Sequence, residues 1–329
     1  MSVHASQSAS NQRTQYYRLQ LGRDALPPRY AGSWLLLGFL WCCAQLPLFV
    51  SRAIGAGVGY LMMSNRKRRD IVRVNLALCF PELDAAARER LLRLHFVRAG
   101  QAMVDIGFLA WASEARLLRK VQYRGLEQFR ELVGARNVLL LVPHMLGFNV
   151  AGVMISRQFG RFFTMMKRQS NPVVDWMLNR ARMRFGAKLI ERQHGLRPVI
   201  RGLREGQLFY YLPDEDYGPE KSIFAPFFGV PTATLTTLGR LAKSADAAVV
   251  PCFSRILPGG RGYEVVLRSP MENFPTGDRA ADAARMNAAM EAGISEMPEQ
   301  YMWTFKLFKT RPNGEPSPYP QKPKKPKRD

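Results

Sequence analysis

The fold is decided by residues 137–155, which read NVLLLVPHMLGFNVAGVMI. The uncharged apolar run 137–142 is typical of a short buried strand. This strand stops at Pro143, because a proline has no backbone N–H to donate to a neighbouring strand. A helical pattern resumes over 147–155. The stretch therefore predicts a strand, a turn and a helix, with His144 placed in the turn.

The same alternation of strand and helix continues outward along the chain. Residues 70–120 have a helical pattern in which apolar residues recur at core spacing. Further strands are predicted at 207–212, 247–253 and 263–267, and further helices at 173–185, 234–245 and 280–297. This alternation indicates an α/β fold built on one mixed sheet, with its site at the carboxyl ends of the strands. His144 lies at such an end.

The N-terminal region contains a long uncharged segment. Residues 31–51 read AGSWLLLGFLWCCAQLPLFVS, and 21 residues of helix at about 1.5 Å each would just cross a hydrocarbon core of about 30 Å. Gln45 and Pro47 weaken this interpretation, so a helix lying in the membrane interface and a buried core helix stay open as alternatives. A basic cluster follows, comprising Arg66, Lys67, Arg68, Arg69 and Arg73. It places the rest of the chain in the cytoplasm and favours contact with anionic lipid headgroups.

These features divide the chain into four segments. We predict a mobile polar leader over 1–30, a membrane-anchoring helix within 31–65, a single catalytic domain over 66–315 and a basic, proline-rich tail over 316–329. A secretory signal peptide is not expected, because the apolar region begins late and no small-residue cleavage site precedes the next charges.

The composition narrows the classes of partner. The 329 residues include 48 Lys and Arg against 26 Asp and Glu, a formal net charge of +22. Nucleic acid, anionic lipid and an acidic protein all fit this charge, but no nucleic-acid-binding motif is found, so we expect no nucleic-acid partner. The four cysteines lack the spacing of a zinc site or a disulfide framework. We expect neither a metal nor a cofactor.

The spacing around His144 carries the chemistry. Asn149 follows five positions later, across the predicted turn, where its side chain can reach back toward the imidazole. A neutral imidazole, with a reference pKa of about 6.5, suits a general base near neutral pH. The cysteines lie in the wrong places for a covalent intermediate.

At this point the sequence resembles a known family, the late acyltransferases of lipid A biosynthesis, which carry a His followed five positions later by Asp or Glu. The resemblance covers roughly residues 28–318 and rests on several long phrases. They are PRYAGSWLLLGFLWCCAQLP at 28–47, RVNLALCFPEL at 73–83, Asn171-Pro172, RARMRFG at 180–186, YLPDEDYGPEKSIFAPFFG at 211–229, VVPCFSRILPGGRGYEV at 249–265 and EQYMWTFKLFKTRPNGEPSPY at 299–319.

The resemblance implies transfer of a fatty acyl group from acyl carrier protein to a hydroxyl of a lipid A precursor or related glycolipid, at the cytoplasmic face of the inner membrane. His144 would be the general base. Asn149 stands where the family has an acid, and an amide supplies no negative charge to an imidazolium. The chain is therefore a slow enzyme, an enzyme that recruits another carboxylate, or a silent lipid-binding relative. Asp214, Glu215 and Asp216 are the nearest candidate carboxylates.

Further site residues follow from the same resemblance. Lys167 stands where the family has Arg, and Asn171 belongs to the phrase that follows. Arg182, Arg184 and Arg192 match basic positions that would bind the anionic acceptor or the acidic carrier. A solvated helix face is the alternative for each of these arginines. A glycerophospholipid acyltransferase is a second alternative function, against which stands the lack of a Glu-Gly-Thr-Arg type phrase. Acyl chain length depends on the depth of a pocket, which a sequence does not reveal.

Overall fold

A computed structural model of the chain describes residues 16–320, so the predictions for residues 1–15 and 321–329 lie outside the described residues. A seven-stranded sheet has the order β1-β9-β8-β2-β5-β3-β4, and β6 pairs with β7 in a separate hairpin. The strands are β1 Val121–Arg124, β2 Asn137–Leu141, β3 Phe162–Met166, β4 Lys188–Glu191, β5 Leu208–Tyr211, β6 Ser222–Phe227, β7 Val230–Leu235, β8 Ala247–Leu257 and β9 Gly262–Leu267.

The large sheet is mixed, as the sequence predicts. Strands β2, β8, β5, β3 and β4 run parallel to one another. Strand β9 is antiparallel to β8, and β1 is parallel to β9. Strand β2 lies at the centre, and all of its residues after Asn137 are buried, which explains its unbroken apolar sequence. Its carboxyl end leads directly to His144.

Helices cover both faces of the sheet. They are α1 Ala31–Gln45, α2 Leu48–Met63, α3 Arg66–Cys79, α4 Ala85–Trp111, α5 Glu114–Leu118, α6 Leu126–Ala135, α7 Phe148–Phe159, α8 Pro172–Arg182, α9 Arg197–Arg204, α10 Thr237–Ala245 and α11 Arg279–Ser295. Apolar residues of α9, α10 and α11 share one core cluster with the sheet, whereas α6 and α7 contribute to the cluster on the opposite face. The α/β fold class is thereby confirmed.

The predicted membrane-anchoring helix over 31–65 is not supported as a single span. The chain leaves helical geometry at Leu46, and Pro47 caps a new helix, so the apolar segment forms the 15-residue α1 and the 16-residue α2. Among the helices of residues 16–320, none is long and apolar enough to cross a membrane. The physical reason is Pro47, because a proline in the interior of a helix removes a backbone hydrogen bond and so separates α1 from α2.

Helices α1 and α2 pack closely on the long helix α4. A Cβ added at Gly100 of α4 would lie 2.2 Å from the carbonyl oxygen of Gly55, and one at Gly59 would lie 2.2 Å from that of Phe96. Only glycine permits this approach of two backbones. The contact also contains a buried ion pair, in which Arg52 lies 3.4 Å from Asp105. The N-terminal helices are therefore fixed parts of the domain.

The described end of the predicted leader packs on the sheet. Tyr16 forms an antiparallel bridge with Ile190 of β4, and the Tyr17 N–H donates to Leu189 at 2.8 Å. The Tyr17 side chain is buried, and its hydroxyl donates to Asp175 at 2.6 Å. Tyr16 and Tyr17 thus lie against β4 and α8. The proposed division of the chain at 30, 65 and 315 stays a prediction.

Candidate active site

A cavity of about 850 Å³ opens at the carboxyl ends of β2, β3 and β5. This is the edge of the sheet where the sequence predicts the site. Its lining includes four ionisable residues, His144, Arg182, Arg192 and Glu215. It also includes the apolar residues Phe148, Val153, Phe162, Ala187, Leu189 and Phe209. The cavity therefore combines ionisable groups with a surface that suits a hydrocarbon chain.

His144 is held from two sides by Asp214, which follows β5. The ring Nδ1 lies 2.6 Å from Oδ1 of Asp214, and the His144 backbone N–H donates to Oδ2 at 2.7 Å. With Nδ1 engaged by a carboxylate, Nε2 is the nitrogen that remains for a substrate proton. The rings of Phe148 and Phe305 pack against the imidazole at centroid distances of 5.4 and 5.0 Å. Ring orientation and tautomer are both fixed by these contacts.

Asp214 is a buried carboxylate that stays ionised. Burial alone would raise its pKa, but the charge of His144 and the hydrogen bonds from His144 and Tyr301 outweigh burial and lower the pKa. The Tyr301 hydroxyl donates to Oδ2 at 3.0 Å. Asp214 is thus the acidic partner that the resemblance assigns to position 149, and it was one of the three carboxylates expected as a replacement.

Asn149 lies in the first turn of α7 and lines the cavity, but its amide binds Arg182 instead of His144. The Arg182 Nε donates to Oδ1 of Asn149 at 2.9 Å, and the guanidinium lies over the Phe148 ring, 5.8 Å from its centroid. Burial lowers the pKa of Arg182 to about 10, which leaves the group charged at neutral pH. Within residues 16–320, no carboxylate forms an ion pair with Arg182. The charge of Asp175 favours the charged form of Arg182, so the cavity contains a guanidinium that is influenced by a carboxylate but contacted by none of those described.

A second acid lies on the other side of the imidazole. Oε1 of Glu215 is 3.8 Å from Nε2 of His144, and the Glu215 carboxylate accepts bonds from both terminal nitrogens of Arg192, at 3.0 and 3.3 Å. The Tyr217 hydroxyl also donates to Glu215 at 3.2 Å. Burial would raise the Glu215 pKa, but the hydrogen bond and charge of Arg192 lower it. Arg192 thus lines the cavity and is paired with Glu215, and its predicted role in binding substrate stays a prediction.

Other predicted site residues have different positions. Lys167 lines the cavity. Asp216 is not among the described residues that line the cavity. Its carboxylate accepts hydrogen bonds from the backbone N–H of Thr310 at 2.6 Å and from the Thr310 hydroxyl at 2.8 Å. Asn171 caps α8. Arg184 donates to the backbone carbonyls of Leu109, in the last turn of α4, and Ala112, which caps that helix. These three contacts connect parts of the fold, and the structure does not bring Asp216, Asn171 or Arg184 to His144.

Tyr301 and Phe305 are the contacts of the site that sequence reasoning missed. Both belong to the C-terminal segment, which returns to the cavity through the bridge between Met145 and Tyr301 and the bond from the Met302 N–H to the His144 carbonyl. The phrase at 299–319 contains them, but no residue type in it indicates which side chain meets the imidazole.

Comparison with known proteins gives one consistent result. The model of a family described as bacterial lipid A biosynthesis acyltransferase matches residues 20–310. The chain is 36% identical over 300 residues to the Escherichia coli (strain K12) lipid A biosynthesis lauroyltransferase, and the matched region covers 89% of this chain and 96% of that relative. It is 37% identical over 302 residues to the myristoyltransferase of the same organism, covering 90% and 92%. A Haemophilus influenzae lipid A biosynthesis acyltransferase is 33% identical over 301 residues, covering 91% and 94%.

Proposed function

The chain belongs to the bacterial lipid A biosynthesis acyltransferase family, and on that premise we propose that it transfers a fatty acyl group from acyl carrier protein to a hydroxyl of a lipid A precursor, with His144 as the general base. The resemblance seen in the sequence is confirmed at the level of the family, and the chain is an acyltransferase. The observation that supports the base most strongly is the contact of 2.6 Å between Nδ1 of His144 and Asp214 at the cavity wall.

The proposed reaction proceeds without a covalent enzyme intermediate. Nε2 of neutral His144 accepts the proton of the acceptor hydroxyl while the hydroxyl oxygen attacks the thioester carbonyl. The C–S bond then breaks, and the leaving sulfur takes the proton back from the imidazolium, so that an ester and a free thiol are formed. Asp214 accepts the Nδ1–H bond throughout and stabilises the imidazolium while it exists.

Arg182 supports an anionic acceptor in this site. No described carboxylate contacts its guanidinium directly, and in a partly apolar cavity an electrostatic interaction with a bound anion is stronger than in water. A phosphate group of a lipid A precursor would supply the missing anion, and a guanidinium forms paired hydrogen bonds with phosphate. Asn149 then orients the guanidinium, and the imidazole needs no acid at position 149 because Asp214 already supplies one.

The acyl chain is proposed to pack against the apolar residues that line the cavity. Phe148 connects these residues to the proposed base, since its ring packs against His144 and it lines the same cavity as Phe162 and Leu189. A thioester carbonyl beside His144 would then have its hydrocarbon chain against these side chains. Burial of each CH₂ group there is worth about 0.8 kcal/mol.

We further propose that the protein binds the cytoplasmic face of the inner membrane through α1 and α2. These helices carry exposed Leu35, Trp41, Phe49 and Leu61, which are 76%, 50%, 65% and 75% accessible. Large apolar side chains grouped on adjacent helices are typical of interfacial membrane contact. The exposed residues 66–68 follow at once and add three positive charges for anionic headgroups.

One experiment tests the reaction. Purified full-length protein is incubated with acyl carrier protein charged with a fatty acid and, separately, with a lipid A precursor or a lysophospholipid as acceptor, and products are identified by mass spectrometry. We expect an acylated lipid A precursor and free carrier thiol. Acylation of the lysophospholipid alone would favour the glycerophospholipid alternative, and lipid binding without any product would favour the silent relative.

A further inference from the structure

A strongly basic surface lies outside the active site, on the two helices that flank the mouth of the cavity. We infer that this surface is the docking site for the acidic carrier protein that brings the acyl thioester, an inference that rests on the proposed function. The residues that form it, here called the basic face, are Arg197, Arg201, Arg204, Arg240 and Lys243.

The cations of the basic face are arranged in rows. In α9, residues 197, 201 and 204 are spaced by four and three positions, which places them on one stripe of the helix, about 10 Å long at 1.5 Å per residue. The apolar residues Val199 and Leu203 occupy the opposite side and are fully buried. A partner helix with carboxylates at every turn would match this stripe.

The second row belongs to α10 and is joined to the first. Arg240 and Lys243 are exposed and three positions apart. Arg204 of α9 donates from Nε and an Nη nitrogen to the Ser244 carbonyl of α10, at 3.0 and 2.6 Å, so the two helices present one continuous surface. In the part of the chain that the structure describes, no carboxylate is ion-paired with any residue of the basic face.

The basic face begins at the cavity. Leu196, which caps α9, and Arg240 both line the cavity wall, as do the exposed cations Lys221 and Arg279. A carrier bound along α9 and α10 would therefore have its thioester arm at the entrance that leads to His144.

The character of this surface favours a protein over a membrane. The large exposed apolar residues among those described are concentrated on α1 and α2, and none is on α9 or α10. Those apolar helices belong to a different core cluster from α9 and α10. A surface that binds by charge alone, next to a catalytic entrance, suits a soluble acidic partner that must associate quickly and leave after transfer.

The basic segment 180–192 was expected to meet the acceptor or the carrier, but Arg184 is bonded to backbone carbonyls, Arg192 to Glu215 and Arg182 to Asn149. That segment therefore offers little free charge to a protein partner, whereas α9 and α10 do.

The test measures carrier binding directly. Fluorescently labelled acyl carrier protein bearing a fatty acyl chain is titrated with the full-length protein, and the dissociation constant is read from anisotropy. The double variant Arg201→Glu/Lys243→Glu should bind about tenfold more weakly at low salt, with a smaller difference at high salt, because exposed charges are screened within about 10 Å at 0.1 M. Circular dichroism and the melting temperature establish that the variant is folded.

The matched control carries the same change of four charges elsewhere. Arg119→Glu/Arg130→Glu alters exposed arginines at the end of α5 and on α6, neither of which lines the cavity, and should leave carrier affinity within about twofold of wild type. A basic-face variant that binds the carrier as tightly as wild type overturns the inference. So does an equal loss in both double variants, which would indicate a response to net charge alone.

Two further readouts separate this inference from the proposed function. In transfer assays, the ratio of rates with carrier-bound and carrier-free acyl-pantetheine thioester should fall about tenfold in Arg201→Glu/Lys243→Glu. If wild type binds the carrier through the basic face but acylates no lipid from either donor, docking stands and the proposed reaction fails. If the variant instead loses binding to phosphatidylglycerol vesicles while keeping carrier affinity, the face contacts membrane and the inference is wrong.

Discussion

The role of Asp214 gives the sharpest prediction, because the variant Asp214→Asn keeps its shape and removes one specific property. The carboxylate accepts two N–H bonds from the same residue, one at each oxygen, from the ring and from the backbone of His144. An amide has one accepting oxygen and one donating NH₂ group. If the amide oxygen of Asp214→Asn accepts the backbone N–H of His144, the amide NH₂ group faces Nδ1. The imidazole then favours the tautomer with its proton on Nε2, and Nε2 cannot accept a proton from the substrate.

The expected loss is large. In serine proteases, the Asp-to-Asn change behind a catalytic histidine lowers turnover by about 10⁴, and the geometry here imposes the same tautomer problem. We expect kcat of Asp214→Asn to fall by about 10³ to 10⁴ with little change in the KM of either substrate. The assay is steady-state acyl transfer from acyl carrier protein to a lipid A precursor, followed by mass spectrometry.

Asp216→Asn is the matched control. It is the same substitution two residues away, but Asp216 bonds Thr310 and has no contact with His144. This variant should lose stability, by about 1–3 kcal/mol for a weakened buried hydrogen-bond set, while folded protein keeps kcat within a few fold of wild type. Equal turnover in Asp214→Asn and wild type, or an equal loss in the two variants, would refute the role assigned to Asp214.

Three further predictions follow from other contacts. Asn149→Asp should form an ion pair with Arg182 and raise the KM for a phosphorylated acceptor about tenfold. The pH dependence of kcat should be unchanged, because Asp214 already supports the imidazole. A raised kcat at unchanged KM would contradict this prediction. Gly100→Ala should destabilise the fold by about 1–3 kcal/mol in urea unfolding, because the new Cβ would meet the backbone of α2. The control Gly57→Ala, where the new Cβ meets open space, should be neutral or slightly stabilising. Equal urea midpoints for the two variants would show that α2 and α4 are not in tight contact. The lowered pKa of Asp214 means that its ionised form stabilises the folded state above the unfolded-state pKa of about 3.9, and that this contribution is lost as pH falls through the lower folded-state pKa. The melting temperature of wild type relative to Asp214→Asn should therefore decrease as the pH is lowered below about 4, and a constant difference would argue against the lowered pKa.

The sequence predicts best where one pattern dominates. Strand β2, the turn at His144 and helix α7 were readable because a buried central strand has an unbroken apolar sequence and proline marks its end. The prediction of a helix over 234–245 was correct from Thr237 onward, but residues 230–235 form β7 of a hairpin. Thr and Val in that strand favour extended structure, and the helical pattern that follows obscured the boundary.

The site was predictable in part for a related reason. A chain-order motif identifies His144, but the partner of its imidazole comes from 70 positions away and the partner of Asn149 from 33 positions away. Such contacts depend on which strands are neighbours, and the strand order places β5 beside β2. The resemblance to a family narrowed the choice to three carboxylates, and only the fold selects Asp214 among them.

The proposed reaction depends most on His144 as the general base. The rate of acyl transfer by His144→Ala tests this role most directly. The variant protein is compared with wild type at equal concentration, with the same acyl carrier protein and lipid A precursor, after its melting temperature has established that it is folded. We expect transfer to fall to the rate measured without enzyme, because His144 is the one histidine among the described residues that line the cavity and the neighbouring carboxylate of Glu215 is engaged by Arg192. Folded His144→Ala that forms the acylated product at the wild-type rate would contradict the account.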